Sequence, residues 1–186
     1  MEIPNTIKCK TRYCDALDYS DVERYIQNIQ NEKCKEKILQ ELKLIFHNLK
    51  KQVLSLGVKP HAIAGQSHTK LNYLERETIH GTLKFETLFF TGDKYTGVHT
   101  HPEFVVDEVI EGSLKEKNFE PCKNDHYHFS GTTIREASDR VEVFCDDGFL
   151  HNVCAEDEGC FSACLSLGKK KVVMISEEDL RDHLVK

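Results

Sequence analysis

Ten histidines are spread over the 186 residues, and three are spaced for shared chemistry. His99 and His101 stand in Gly97-Val-His-Thr-His-Pro102. Side chains alternate across an extended strand, so positions i and i+2 face one way and two inward imidazoles can bind one metal ion. Further on, Asp147-Gly-Phe-Leu-His151 supplies a third imidazole. Between them Gly112, in Val109-Ile-Glu-Gly-Ser-Leu114, has the position of a turn between strands. An HxH pair alone is a weak sign of a metal, because histidine is common on ordinary strands.

The combination is more specific than its parts. HxH, a glycine turn, an intervening hairpin and Gly-x-x-His resemble the two-part motif of the cupin β-barrel. That resemblance implies a metal held by His99, His101 and His151. Most cupins add a glutamate four or five residues after the second histidine, where this chain has Val105 and Val106. An apolar side chain cannot ligate, so three neutral imidazoles are expected, with Glu103 and Asp107 as carboxylate alternatives if the strand is bulged. Three ligands on one side leave open positions, as a non-haem Fe(II) oxygenase requires. Cys154, Cys160 and Cys164 lie near the third histidine, and thiolates there would favour zinc, although Cys160 and Cys164 also suit small buried apolar sites. A second HxH, His126-Tyr-His128, is read as part of a loop.

The elements that must position these groups are of two kinds. Residues 20–56 read as helix, with Val22, Tyr25, Ile26 and Ile29 and then Ile38, Leu42, Ile45, Leu49 and Val53 at helical spacing. Ser20 and Glu23 form a capping-box pattern, and Gly57 is a stop followed by Pro60. From residue 68 the segments become short and rich in Thr, Val, Phe and Tyr: 70–78, 82–90, 104–110, 113–119, 141–145 and 160–167. Such spacing predicts an antiparallel sandwich or barrel. The expected fold is therefore mainly β: an N-terminal helical segment (1–67) packed on a cupin barrel (68–175), with a short C-terminal helix (176–186), all one domain. Residues 171–175 are read as an added strand.

Within the cupins, residues 70–167 resemble the thiol dioxygenases, which comprise cysteine dioxygenase and its relatives acting on cysteamine or N-terminal cysteine. The resemblance is carried by the histidine set without glutamate, by Gly81-Thr-Leu-Lys-Phe85 through Ile110-Glu-Gly-Ser-Leu-Lys-Glu116, and by Gly148-Phe-Leu-His151. It implies Fe(2+), a small thiol and dioxygen as reactants, and a sulfinic acid as product. It also implies that Arg76 grips a substrate carboxylate through its planar fork; the plain alternative is a surface strand arginine paired with Glu75 or Glu77. The chain departs from cysteine dioxygenase in Ser162-Ala-Cys164-Leu-Ser166, where Cys164 and Ser166 replace a histidine and a tyrosine. With Val105 and Val106 near the cysteine position, the Cys–Tyr crosslink of animal enzymes cannot form there. Pro102 after the second histidine is similar to the oxidases of cysteamine and N-terminal cysteine. No general acid or base is assigned; Tyr73 and Tyr95 are the tyrosine candidates. A cupin with other chemistry, or a metal or ligand sensor without turnover, remains open.

Composition narrows the setting. The formal charge of −6 is interspersed, so no nucleic-acid surface is expected. No run of about 18 apolar residues predicts a membrane span, and residues 1–10 lack the apolar core of a signal peptide. The eight cysteines include no close CxxC pair and are read as mostly reduced. A cytoplasmic protein, monomeric or a small homo-oligomer, is expected.

Overall fold

The computed structural model describes residues 14–92, 94–121, 127–144, 150–169 and 174–175. The helical periodicity resolves into α1 (Ser20–Asn31) and α2 (Lys35–Ser55). Val22, Ile26 and Ile29 of α1 and Ile38, Leu42, Ile45, Leu49 and Val53 of α2 are all buried. The capping box does not form. Asp18 Oδ1 accepts from the Ser20 backbone N–H, and Glu23 pairs instead with Arg76. Gly57, at φ +65°, ends α2 as expected, a conformation that glycine adopts without steric cost.

Ten strands follow: β1 (His68–Thr78), β2 (Gly81–Phe90), β3 (Val98–Thr100), β4 (Phe104–Glu111), β5 (Leu114–Pro121), β6 (Tyr127–Arg135), β7 (Arg140–Phe144), β8 (Leu150–Ala155), β9 (Cys160–Gly168) and β10 (Met174–Ile175). They form two five-stranded antiparallel sheets, ordered β1-β2-β9-β4-β7 and β10-β3-β8-β5-β6. From β3 onward the chain passes repeatedly between the sheets, so strands distant in sequence become neighbours, as β3 and β8 do. Gly112, at φ +82°, turns the chain from β4 in one sheet to β5 in the other. The stretch holding His128, expected as loop, is β6, an edge strand with a mostly exposed face. His126 and the predicted C-terminal helix lie outside the described residues.

The first sheet is sandwiched. Its outer face carries Leu83, Phe85, Phe104, Val106, Ala163, Leu165 and Leu167, which pack with both helices into the main core. Period-2 alternation sends the other side chains of β2, β4 and β9 inward, toward the second sheet. Lys50 of α2 and Arg140 of β7 both pair with Glu108, at 2.7 Å each, and tie the helix to the sheet edge.

Candidate metal centre

His99 and His151 are directly paired across β3 and β8, so both imidazoles rise from the same inner face of the second sheet. His101 follows at the end of β3. The donor nitrogens of all three lie within 4.8 Å of one another, and they are the one such cluster among the described residues. His101 Nε2 is 2.6 Å from His151 Nε2, which is 3.2 Å from His99 Nε2. An ion bonded at about 2.1 Å to each nitrogen demands spacings of roughly 3 Å. The spacings match that requirement, so this donor set fits a metal ion.

Backbone and side-chain acceptors fix the rings. His99 Nδ1 lies 2.9 Å from the Gly97 carbonyl, which can only accept, so Nδ1 carries the proton and Nε2 is left free to ligate. His151 Nδ1 donates to the Glu116 carboxylate, the usual way in which an outer carboxylate orients a ligating imidazole. Burial depresses the His99 pKa below the ordinary value. Burial, followed by the neighbouring charges, depresses His101 and His151 well below it. Neutral imidazole is the form that binds metal.

The three histidines open on a cavity of about 290 Å³ between the sheets. Leu88, Phe90, Val105, Leu114 and Val153 give it apolar walls. Val105 occupies the wall where a glutamate was missing from the motif. Of the carboxylate alternatives, Asp107 also lines the cavity but is held by Arg135 at 2.6 Å. Burial pushes Asp107 and Glu116 upward, with Arg135 opposing both shifts. Arg135 stays charged because Asp107 and Glu116 outweigh the effect of its burial.

Arg76 is elsewhere. Its neighbours His68 and Lys70 line the cavity, and strict alternation would carry Arg76 inward with them. The β1–β2 register, however, shifts between Asn72 and Leu74. This one-residue bulge flips the parity of the rest of the strand. Arg76 therefore stands opposite Leu83, on the helix-covered face, and pairs with Glu23 of α1. The expected carboxylate clamp is thus replaced by an ion pair between helix and sheet, and the partner is neither Glu75 nor Glu77.

The remaining candidates divide similarly. Tyr73 is in the helix-side core, and Tyr95 has Lys117 Nζ 4.2 Å from its ring centroid. Neither lines the cavity. Cys164 and Ser166 do line it, whereas Cys160 is buried in an apolar cluster. Cys34, Cys154, Cys160 and Cys164 are free thiols and Cys14 is disulfide-bonded. His68 lies at the cavity wall. Glu116 and Arg135 were not singled out from sequence. Glu116 had a signal, being two residues from Leu114 and so inward-facing on the same strand, while Arg135 lay in a stretch with no strand signature.

Two five-stranded antiparallel sheets, with helices covering one of them and the histidines inside, make the chain mainly β and cupin in architecture. No protein-family model matches the sequence, and no curated protein matches it. Among solved structures, an oxalate oxidase in complex with the substrate analogue glycolate superposes with a TM-score of 0.48 at 9% identity, over 64% of this chain and 61% of that one. The chain thus spans about three fifths of that oxidase. A cupin superfamily protein from Desulfitobacterium hafniense gives 0.43 at 9% identity, over 59% of this chain and 84% of its own. An uncharacterised conserved protein with a double-stranded β-helix domain from Klebsiella pneumoniae gives 0.46 at 15%, over 62% and 90%. No described helix is long and apolar enough to cross a membrane.

Proposed function

We propose that this chain is a non-haem iron dioxygenase of small thiols. The observation that carries the reading is the three-imidazole cluster facing a small, largely apolar cavity whose wall has Val105 in place of a carboxylate ligand. A ferrous ion, when bound there, supplies acidification of a coordinated thiol and activation of dioxygen, whose two atoms both end on sulfur as a sulfinic acid. The chain's own residues bind and orient. Gly97 and Glu116 hold the His99 and His151 rings, and Leu88, Phe90, Leu114 and Val153 keep water from the reacting face.

The cavity charges favour a thiol without a carboxylate. Both cationic side chains among the described residues of its walls are already engaged, Lys70 with Glu86 at 3.3 Å and Arg135 with Asp107 at 2.6 Å. With Arg76 on the other face of the sheet, a free amino-acid carboxylate would be buried without its own partner, which is costly. Cysteamine, or an N-terminal cysteine whose carboxyl is an amide, avoids that cost.

The test is oxygen uptake by anaerobically iron-loaded protein offered cysteine, cysteamine, mercaptopropionate and N-terminal-cysteine peptides, with products identified by mass. Sulfinate should form, fastest from the amines lacking a carboxylate. Absence of thiol-dependent uptake across the panel would remove the dioxygenase reading.

A further inference from the structure

A line of buried charge runs from the first sheet to the metal cluster. Asp107 of β4 takes a 2.6 Å contact from Arg135 Nη1, while Arg135 Nη2 donates to the carbonyls of Asp107 and Asp139 at 3.3 and 3.4 Å. Arg135 leaves β6, opposite Leu114 of β5. Glu116, two residues on, lies diagonal to it on the same inner face, within reach of a long side chain. Glu116 in turn accepts from His151 Nδ1. Arg135, Glu116 and His151 are each more than nine-tenths buried. Among the described residues lining the cavity, Arg135 is the buried cation; Lys70, the other, is half in solvent.

A buried carboxylate needs a compensating charge, and Arg135, bonded to Asp107 and making no direct ion pair with Glu116, acts on Glu116 through its charge across the strand diagonal. We infer that Arg135 is a positioning residue of the metal centre, holding Glu116 against His151 so that His151 Nε2 is presented to the ion. The role rests on the reading of the three histidines as a metal site, but not on which reaction the site performs. Arg135 offers no donor atom to the histidine cluster, so its effect on the metal must pass through Glu116. That requirement separates positioning from general support of the fold. A structural role predicts independent losses, whereas a serial role predicts that removing Glu116 makes Arg135 irrelevant to the metal.

The experiment is a double-mutant cycle on Fe(II) affinity, measured anaerobically by competition with a chromophoric chelator, with no turnover required. Arg135→Met and Glu116→Gln should each weaken binding by about 10- to 100-fold, the scale found for outer partners of metal ligands. The double variant should be no weaker than the poorer single one. Arg135→Lys keeps the charge and serves where the Met variant does not fold. It should weaken Fe(II) several-fold in the parent and not at all in Glu116→Gln, because a lone ammonium drawn to Asp107 cannot reproduce the guanidinium's fixed place on the diagonal from Glu116. Parent-like affinity in Arg135→Lys and Arg135→Met, or losses that multiply in the double variants, would overturn the inference. Failure of the parent to bind Fe(II) at all would instead strike the metal site itself. Failure of thiol oxidation with the cycle intact would leave Arg135's role standing.

Discussion

His101 Nε2 and His151 Nε2 lie 2.6 Å apart although fifty positions separate them in the chain. The separation is imposed by β3 and β8 pairing, with His99 directly opposite His151. Three imidazole nitrogens within 4.8 Å of one another stand as ligands of one cation do, so the protein should bind one divalent ion per chain. His101→Ala and His151→Ala should each abolish stoichiometric binding. Calorimetry should also show stabilisation on adding metal, about 2.7 kcal/mol at 100 times the dissociation constant, as mass action requires. A midpoint that ignores Fe(II), Co(II) and Zn(II) would contradict this.

The same histidines set an acid limit for the metal-free protein. Burial lowers the pKa of His99, His101 and His151 from 6.5. Below 6.5 the unfolded chain takes up protons that the folded cluster refuses, so stability is full above that pH and falls as pH drops. Asp107 and Glu116 are raised by burial and act in the opposite sense, flattening the profile. Denaturant midpoints of metal-free protein should decline from about pH 6.5 downward, and His101→Gln should show a shallower decline. Bound metal competes with protons for the same nitrogens and should move the fall to lower pH.

The histidine set was legible because a local spacing encoded it. HxH fixes two rings on one strand face, and the third histidine needed only to come opposite. The helices were legible from their apolar stripes, down to Gly57. β6 was not, because it is an edge strand whose face is mostly exposed, so polar residues there carry no alternation. Arg76 was misplaced for a different reason. A bulge is one extra residue, and nothing in Asn72-Tyr-Leu74 announces that Tyr73 and Leu74 will both turn toward the helices. The link from Arg135 to Glu116 depends on that unseen edge strand and so could not be assembled from sequence.

Thiol reactivity follows from where each cysteine sits. Cys34 is exposed beside the start of α2, whereas Cys160 is fully buried and its pKa is pushed up to about 12, by burial first and by Asp107 second. The thiolate is the reactive form. A maleimide at pH 7.5 should label Cys34 within minutes and leave Cys160 untouched until denaturant is added. Peptide mapping by mass spectrometry reads both sites. Equal labelling of the two in the native protein would contradict the placement of Cys160 in the apolar cluster around Val109 and Leu114.

Substitution of Arg76 decides between a clamp and a strut. Its side chain is 6% exposed and its partner Glu23 is 32% exposed, so the pair is shielded on one side and wet on the other. Loss of Arg76 leaves Glu23 able to rehydrate, which limits the cost. Arg76→Met should therefore destabilise the fold by about 1–3 kcal/mol, the scale for a hydrogen bond to a charged group. Glu23→Gln should cost less, and the double variant should lose less than the sum, because the two residues share one contact. Selectivity should not move. At a temperature where Arg76→Met remains folded, the ratio of kcat/KM for cysteine to that for cysteamine should match the parent's, since the substituted side chain lies across the sheet from the cavity. A carboxylate clamp would behave in the opposite way, with little change in the denaturation midpoint and a selective loss on cysteine of the same few kcal/mol in transition-state terms. Measuring both quantities on one preparation separates the two roles, and a selective cysteine defect would require Arg76 to reach the cavity after all.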